Sequence, residues 1–465
     1  MDINLTKQFI DNIFSDSVIK TLQEYIKIKA KSPAFDQDWE QNGYLQHACE
    51  MVEKWCQSLK INGLSTEIIS SKGRTPLLFI EVASNSNNTE TTLIYGHIDK
   101  QPEGSGWDKN KSPFKPVIEN NKLYGRGSAD DGYAAFSALC AIKAIKEQNL
   151  PHNRFVILIE SGEESGSPDL PYYIEKYQEK IGNVDLVVCL DSGCGDYKRL
   201  WITNSLRGTA VGNLEVKILT QGIHSGHSGI AASSFRVLRN ILDRIEDSNT
   251  GEIKIQELLP IIPANIMKMI KKSVKIIGQE VSNCIPFAPG VKPVSSDPLD
   301  LMINHTWKPV LSYIGVDGMP STAHAGSVLR PETLISLSLR LPPNIKAEKA
   351  LELMKTKLEN NPPYSAKISF IPLDYANGWV MPELNKKLFN AINESSRAFF
   401  NNDVCFVGEG GSIPFMNFLL SKFPKAQFIV TGVLGPNSNA HGPNEFLHLP
   451  YVKNLTCALS YIFAS

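Results

Sequence analysis

The sequence lacks any apolar run long enough to cross a membrane, since none approaches the roughly 18 residues that a bilayer requires. It also lacks an excess of either charge: 47 Lys and Arg stand against 48 Asp and Glu, for a formal net charge of -1. This balance gives no support to nucleic-acid binding or to anionic-membrane binding. The first residues are mixed polar and contain no signal-peptide core. We therefore expect a cytoplasmic protein that binds neither nucleic acid nor a membrane.

Cysteine is present without a recognisable pattern. The eight cysteines include no CxxC pair, which disfavours a thiolate zinc site or a redox motif. Hydrophobic residues make up 42% of the chain and charged residues 20%, which is ordinary for a globular protein. Because 465 residues are too many for one comfortable core, we expect at least two domains.

Three apolar runs, each typical of a buried strand of a parallel sheet, stop at an acidic or imidazole side chain. The runs cover 93–96, 155–159 and 186–190. The side chains that follow them are His97, Asp99, Glu160, Glu163, Glu164 and Asp191. Because residues beyond the carboxyl ends of parallel strands converge on one crevice, we expect these side chains to gather at one point. Imidazole and carboxylate are the ligands that a catalytic metal site requires.

The order of strands and helices predicts two domains. After helices at about 16–64, strands and helices alternate to about residue 205, which indicates an α/β sheet with crossover connections. From 206 to 374 the order is β-α-β-β-α-β, the pattern of a small ferredoxin-like domain, with an unassigned insertion at about 248–308. We expect a discontinuous catalytic domain, 1–205 plus 375–465, interrupted by this second domain.

Two further segments extend the candidate metal site. Asp130 precedes a predicted helix, where helix capping is the alternative role for an acid. His441 follows the last predicted strand and can return a second imidazole to the same edge. Together these residues give enough ligands for two divalent ions with a bridging carboxylate. The adjacent Glu163 and Glu164 allow one carboxylate to bind metal while the other acts as a general base.

Two other readings are weaker. A nucleotide site built on Gly125 and Gly127 lacks the GxGxxG and GKS/T patterns, and it places acids where phosphates would lie. A metal-binding protein without catalysis is also open, but such a protein has no need of Glu163 as a base.

In combination the motifs resemble those of the co-catalytic zinc metallopeptidases. This family includes carnosinase-like dipeptidases, aminoacylase, glutamate carboxypeptidase and succinyl-diaminopimelate desuccinylase. The shared motifs are Gly96-His97-Ile98-Asp99, Gly125-Arg126-Gly127-Ser128-Ala129-Asp130-Asp131, Glu163-Glu164-Ser165-Gly166-Ser167, Asp191 and His441. The dipeptidase branch is the most similar, through His224-Ser225-Gly226 and Glu409-Gly410-Gly411-Ser412-Ile413-Pro414.

The resemblance implies an α/β fold: a catalytic α/β/α sandwich with a mostly parallel sheet, interrupted by a ferredoxin-like α+β domain that serves as lid and dimerisation domain. It also implies two divalent metal ions, Zn²⁺ in the first place, with Mn²⁺ or Co²⁺ as alternatives. The implied ligands are His97 and Asp191 for one ion, Glu164 and His441 for the other, and Asp130 for both.

The resemblance also implies roles for the remaining site residues. Asp99 would orient His97, and Glu163 would be the general base. His224 would stabilise the oxyanion, often across a dimer interface. Substrate binding would involve Arg340, Ser412, Glu409 and Gly411. Arg340 suits a free carboxylate because its guanidinium can bind both oxygens, although a surface arginine is the alternative.

We therefore expect a homodimeric, metal-dependent exopeptidase that cleaves dipeptides or short peptides with a free C-terminal carboxylate. The alternative is an amidohydrolase of N-acyl amino acids with the same metal site. Gly132, Gly408 and His227-Ser228-Gly229 depart from the usual dipeptidase pattern and leave the exact substrate open.

Overall fold

A computed structural model describes residues 1–86 and 90–465. Up to residue 206 the helices are α1 (Ile3–Ile13), α2 (Ile19–Lys27), α3 (Trp39–Asn42), α4 (Tyr44–Ser58), α5 (Ala134–Glu147), α6 (Leu170–Lys176) and α7 (Gln178–Ile181). The strands of this part are β1 (Leu64–Ile69), β2 (Leu77–Val82), β3 (Thr91–His97), β4 (Val117–Glu119), β5 (Lys122–Tyr124), β6 (Arg154–Glu160), β7 (Val184–Cys189) and β8 (Trp201–Leu206).

The middle of the chain contains a second set of elements. Its strands are β9 (Gly208–Lys217), β10 (Ile223–His224), β11 (Val310–Asp317), β12 (Val328–Leu329), β13 (Glu332–Leu341) and β14 (Lys367–Ala376). Its helices are α8 (Ser234–Leu242), α9 (Ala264–Ile277), α10 (Glu280–Asn283), α11 (Pro298–Thr306) and α12 (Ala347–Glu359).

The last part of the chain returns to the first set of elements. Its strands are β15 (Trp379–Val380), β16 (Cys405–Glu409), β17 (Gln427–Val430) and β18 (Phe446–His448). Its helices are α13 (Lys386–Phe400), α14 (Pro414–Lys422) and α15 (Leu449–Phe463).

The central sheet has six strands in the order β1-β2-β6-β3-β7-β17. The pairs β6–β3, β3–β7 and β7–β17 are parallel, whereas β1 and β2 join the edge in antiparallel fashion. Every residue of β3 is buried, and most of α5 is buried as well, because its small alanines let it pack closely within the core. The predicted α/β fold with a mostly parallel sheet is thus confirmed.

The second sheet is antiparallel, with strands in the order β11-β13-β9-β14. Burial alternates strictly along β9 and β13, as expected when one face of a sheet packs and the other is more open. Helices α8 and α12 pack on this sheet and share one hydrophobic core with it. With the chain order β-α-β-β-α-β, this is the predicted ferredoxin-like arrangement.

The insertion at about 248–308 is divided between the two hydrophobic cores. Ile255 and Leu258 belong to the smaller core of the ferredoxin-like domain. Ile270 and Trp307 belong to the larger core, where α9 packs against β16. The sequence pattern places the whole insertion in the second domain, whereas its helix α9 packs on the larger core of the first domain. Among the described residues, no helix has the length and apolar character needed to cross a membrane.

We predict that Ile270→Ala destabilises the protein by about 2–5 kcal/mol, because Ile270 is 1% exposed and its truncation leaves a cavity in the larger core. Ile261→Ala is the matched control, since Ile261 lies in the same insertion and is 86% exposed. Its effect should stay within roughly 0.5 kcal/mol. Chemical denaturation of both variants measures the difference, and equal effects would contradict the packing of α9 in the larger core.

Candidate metal centre

The candidate ligands lie at the carboxyl ends of neighbouring parallel strands. His97 is the last residue of β3, and Asp191 follows β7 by two residues. Glu164 lies in a short turn after β6, and His441 lies in the loop after β17. Asp130 precedes α5. Because β6, β3, β7 and β17 run parallel, the segments that follow them open at the same edge of the sheet.

The ligand atoms form two groups that share Asp130. In the first group, Nε2 of His97 lies 3.1 Å from Oδ1 of Asp130 and 3.8 Å from Oδ1 of Asp191. In the second, Nε2 of His441 lies 3.0 Å from Oδ2 of Asp130 and 3.3 Å from Oε2 of Glu164. Within each group the ligand atoms lie within 4.8 Å of one another. Each oxygen of Asp130 therefore faces a different group.

Asp99 connects the first group to the turn that carries the glutamates. Nδ1 of His97 lies 3.4 Å from Oδ1 of Asp99 and 3.1 Å from the Asp99 carbonyl oxygen. The two carboxylate oxygens of Asp99 accept hydrogen bonds from the backbone N–H groups of Glu163 and Glu164, at 3.1 and 3.0 Å. One carboxylate thus orients an imidazole and positions both glutamates, as outer partners of metal ligands typically do.

Burial and crowding of acids perturb the carboxyl groups. Burial and the nearby charge of Asp191 raise the pKa of Glu163 well above its usual value. Burial, with Asp130, raises the pKa of Glu164 to about 8, and burial raises that of Asp191 to about 6. Burial also acts on Asp130, but hydrogen bonds from His441 and His97 hold its pKa below the usual range. Bound cations would offset this crowding of negative charge.

The donor set fits two divalent ions. Each group offers one imidazole and two carboxylates, with Asp130 counted in both. Such nitrogen and oxygen ligands suit zinc, and manganese or cobalt can also use them. Glu160, also at a strand end, does not join either group, because its carboxylate accepts hydrogen bonds from the hydroxyls of Tyr95 and Ser167, both at 2.7 Å.

A buried ion pair that the sequence analysis missed joins the loops of Asp130 and His441. Nη1 of Arg126 lies 2.7 Å from Oε2 of Glu445, and both side chains are almost fully buried. Nη2 of Arg126 donates to the carbonyl of Gly442 at 2.9 Å. Glu445 in turn accepts hydrogen bonds from three backbone N–H groups of the 127–130 segment. The pair therefore holds in place two candidate ligands, Asp130 and His441, that are 311 positions apart in sequence.

Arg340 and Ser412 lie together where the two domains meet. Nη1 of Arg340, on β13, donates to Oγ of Ser412 at 3.3 Å. Gly411 is exposed beside Ser412, whereas Glu409 lies behind the turn against Gly193, two residues after Asp191. Burial raises the pKa of Glu409 to about 7, although the backbone N–H of Gly193 opposes this shift.

His224 lies apart from the metal centre of its own chain. It ends β10, its side chain is exposed, and its Nδ1 accepts a hydrogen bond from the Gly226 N–H at 2.9 Å. Among the described residues, no hydrogen bond or ion pair joins His224 to the two ligand groups.

Comparison with known proteins identifies relatives across most of the chain. A family model described as Peptidase family M20/M25/M40 matches residues 93–464. The Cys-Gly metallodipeptidase of Schizosaccharomyces pombe is 26% identical over 406 residues, which cover 83% of this chain and 82% of that protein. The human Beta-Ala-His dipeptidase is 24% identical over 426 residues, with coverage of 88% and 82%.

A solved structure shares the fold over the full length. It is that of the di-peptidase Dug1p from Saccharomyces cerevisiae, which matches with a TM-score of 0.78 at 22% identity. The match covers 100% of this chain and 99% of that chain.

We predict that Glu445→Gln lowers metal affinity by roughly 10- to 100-fold, because the amide cannot neutralise Arg126 and the loop of His441 is released. Breaking a buried pair on one side also costs about 3–5 kcal/mol of stability. Equilibrium dialysis against zinc, with metal analysis, measures the affinity.

Glu81→Gln is the matched control, since Glu81 pairs with Arg154 at 2.7 Å. Arg154 begins β6, at the opposite end of that strand from the metal centre. The control should bind metal like the wild type. Equal affinities in the two variants would contradict the positioning role of Glu445.

Proposed function

Because the chain belongs to the peptidase family M20/M25/M40, it is a hydrolase of the metallopeptidase type, and we propose that it hydrolyses dipeptides or short peptides with a free C-terminal carboxylate. The observation that carries this proposal is the pair of ligand groups around Asp130. The dipeptidase activities in the names of the two relatives support dipeptides as the substrate class. The resemblance predicted from the motifs is thereby confirmed at the level of the family.

We propose that the centre holds two divalent ions, most simply Zn²⁺. His97, Asp130 and Asp191 would hold one ion, and Asp130, Glu164 and His441 the other. When bound there, such ions would supply Lewis-acid chemistry, namely an acidified water nucleophile and a polarised amide carbonyl.

Glu163 is the proposed general base. The neighbouring Glu164 belongs to a ligand group, whereas Glu163 does not, so its carboxylate is free to take a proton from the attacking water. Asp99 holds the backbone of Glu163 and the ring of His97 at the same time, so the base keeps its place relative to the first group.

Arg340 and Ser412 are proposed to bind the substrate carboxylate. The guanidinium has donors that match the two oxygens of a carboxylate, and Ser412 adds a hydroxyl. Glu409 and Gly411 would support this turn. Since His224 makes no contact with the centre of its own chain, we propose that a second copy of the chain supplies it to stabilise the oxyanion, in a homodimer. The cytoplasmic location stays a prediction.

A substrate panel tests the proposed activity. Metal-reconstituted protein should release amino acids from free dipeptides. A chelator should abolish the release, because the attacking water is activated only when the metal ions are bound. N-acetyl amino acids should be poor substrates in the same assay. Cleavage of N-acetyl amino acids alone would overturn the dipeptidase assignment in favour of an aminoacylase.

We predict that Glu163→Gln keeps both metal ions and loses at least about 100-fold in kcat, because an amide cannot accept the proton. Metal analysis and steady-state kinetics on the same preparation separate the two effects. Glu175→Gln makes the same chemical change at an exposed position of α6 and should behave as wild type. Full turnover in Glu163→Gln would remove this residue from the base role.

A further inference from the structure

The end of the insertion lies against the turn that carries Ser412. His305, near the end of α11, packs on Gly410, which is buried. A Cβ atom built on Gly410 would lie 2.7 Å from Nε2 of His305, so the imidazole occupies the space of a side chain at that position. The insertion therefore reaches the proposed carboxylate-binding turn.

Arg207 stabilises the contact between the end of α11 and the turn at Gly410. It lies between β8 and β9, where the chain passes from one domain to the other. Its backbone N–H donates to the carbonyl of Gly411 at 3.0 Å, and its Nε donates to the carbonyl of Gly410 at 3.1 Å. Its Nη1 donates to the carbonyls of Asn304 and Lys308, on either side of His305, at 3.3 and 3.5 Å. One buried side chain thus holds the turn and the end of α11 in fixed relation.

Two arginines near His305 have no carboxylate partner among the described residues. In the described part of the chain, no carboxylate lies within ion-pair distance of Arg207 or Arg340, whose hydrogen bonds go to carbonyls and to a hydroxyl. Burying a guanidinium without a carboxylate partner lowers the stability of the folded protein, unless an anion binds nearby. The substrate carboxylate is the anion that the proposed function supplies.

His305 has free hydrogen-bonding capacity in this place. His305 keeps part of its surface exposed although its ring packs on Gly410, and within the described residues neither ring nitrogen has a hydrogen-bond partner. Partial removal of the ring from water, together with the charges of Arg207 and Arg340, lowers the pKa of His305 to about 4. At neutral pH the ring is therefore neutral, with one N–H donor to offer.

We propose that His305 is a specificity-determining residue that donates a hydrogen bond to the substrate carboxylate beside Arg340 and Ser412, so that the insertion completes the carboxylate subsite. This inference rests on the proposed function. Arg207 acts through the turn and through α11 as a positioning residue. The subsite then has three donors from three separate parts of the chain, which recognise a C-terminal carboxylate and reject an amide.

Binding to an inactive variant tests the inference without turnover. In the zinc-loaded Glu163→Gln background, the Kd of alanyl-glycine and of alanyl-glycinamide is measured by calorimetry, with and without His305→Ala. The Kd of alanyl-glycine should rise roughly tenfold, as expected for loss of a hydrogen bond to a charged group, while that of the amide should hardly change. Arg340→Ala should show the same selectivity with a larger rise.

Controls separate recognition from folding. His305→Gln keeps an N–H donor and should lose less affinity than His305→Ala, and thermal melting with zinc analysis shows that each variant is folded and loaded. Asp300→Ala alters an exposed residue of the same helix and should leave both Kd values unchanged.

The outcomes discriminate between the two proposals. An unchanged Kd for alanyl-glycine in His305→Ala, or equal losses for the acid and the amide, would overturn the inference. A selective loss in a protein whose wild type cleaves no dipeptide would support the subsite and contradict the proposed function.

Discussion

The carboxylate of Asp130 is the constraint on which the rest of the centre depends. Its two oxygens lie 3.1 and 3.0 Å from imidazoles that come from the first and last thirds of the chain. Such a bridge requires the loop of Asp130, the end of β3 and the loop of His441 to be held together. The parallel sheet brings the strand ends to one edge, Asp99 ties the strand end to the glutamate turn, and Arg126 with Glu445 ties the two loops.

The proposed carboxylate subsite lies at the junction of the two cores. Arg340 comes from the ferredoxin-like sheet, and Ser412 from the catalytic domain. The insertion crosses between them, because its first part packs in the smaller core and α9 packs in the larger. Arg207 lies at the crossover itself and bonds to both sides of the contact. The proposed carboxylate subsite therefore draws on both cores, whereas the candidate ligand groups lie within the larger one.

The sequence is sufficient to predict features that depend on local pattern. Apolar runs that stop at His97 or Asp191 predict buried strands with polar ends, and strict alternation along β13 predicts a sheet with two different faces. The Arg126–Glu445 pair is not predictable in this way, since its partners are 319 residues apart and nothing local distinguishes a buried ion pair from a solvated one. The insertion gave no clear period, so its packing on the catalytic core could only come from long-range contacts.

The measurement that tests the account most directly is the metal stoichiometry of Asp130→Ala beside Asp191→Ala. Asp130 is proposed to serve both ions, whereas Asp191 serves one. The wild type should bind two equivalents of zinc in equilibrium dialysis, Asp191→Ala one, and Asp130→Ala neither at comparable affinity. Two equivalents bound by Asp130→Ala with wild-type affinity would contradict a shared carboxylate and the two-ion centre built around it.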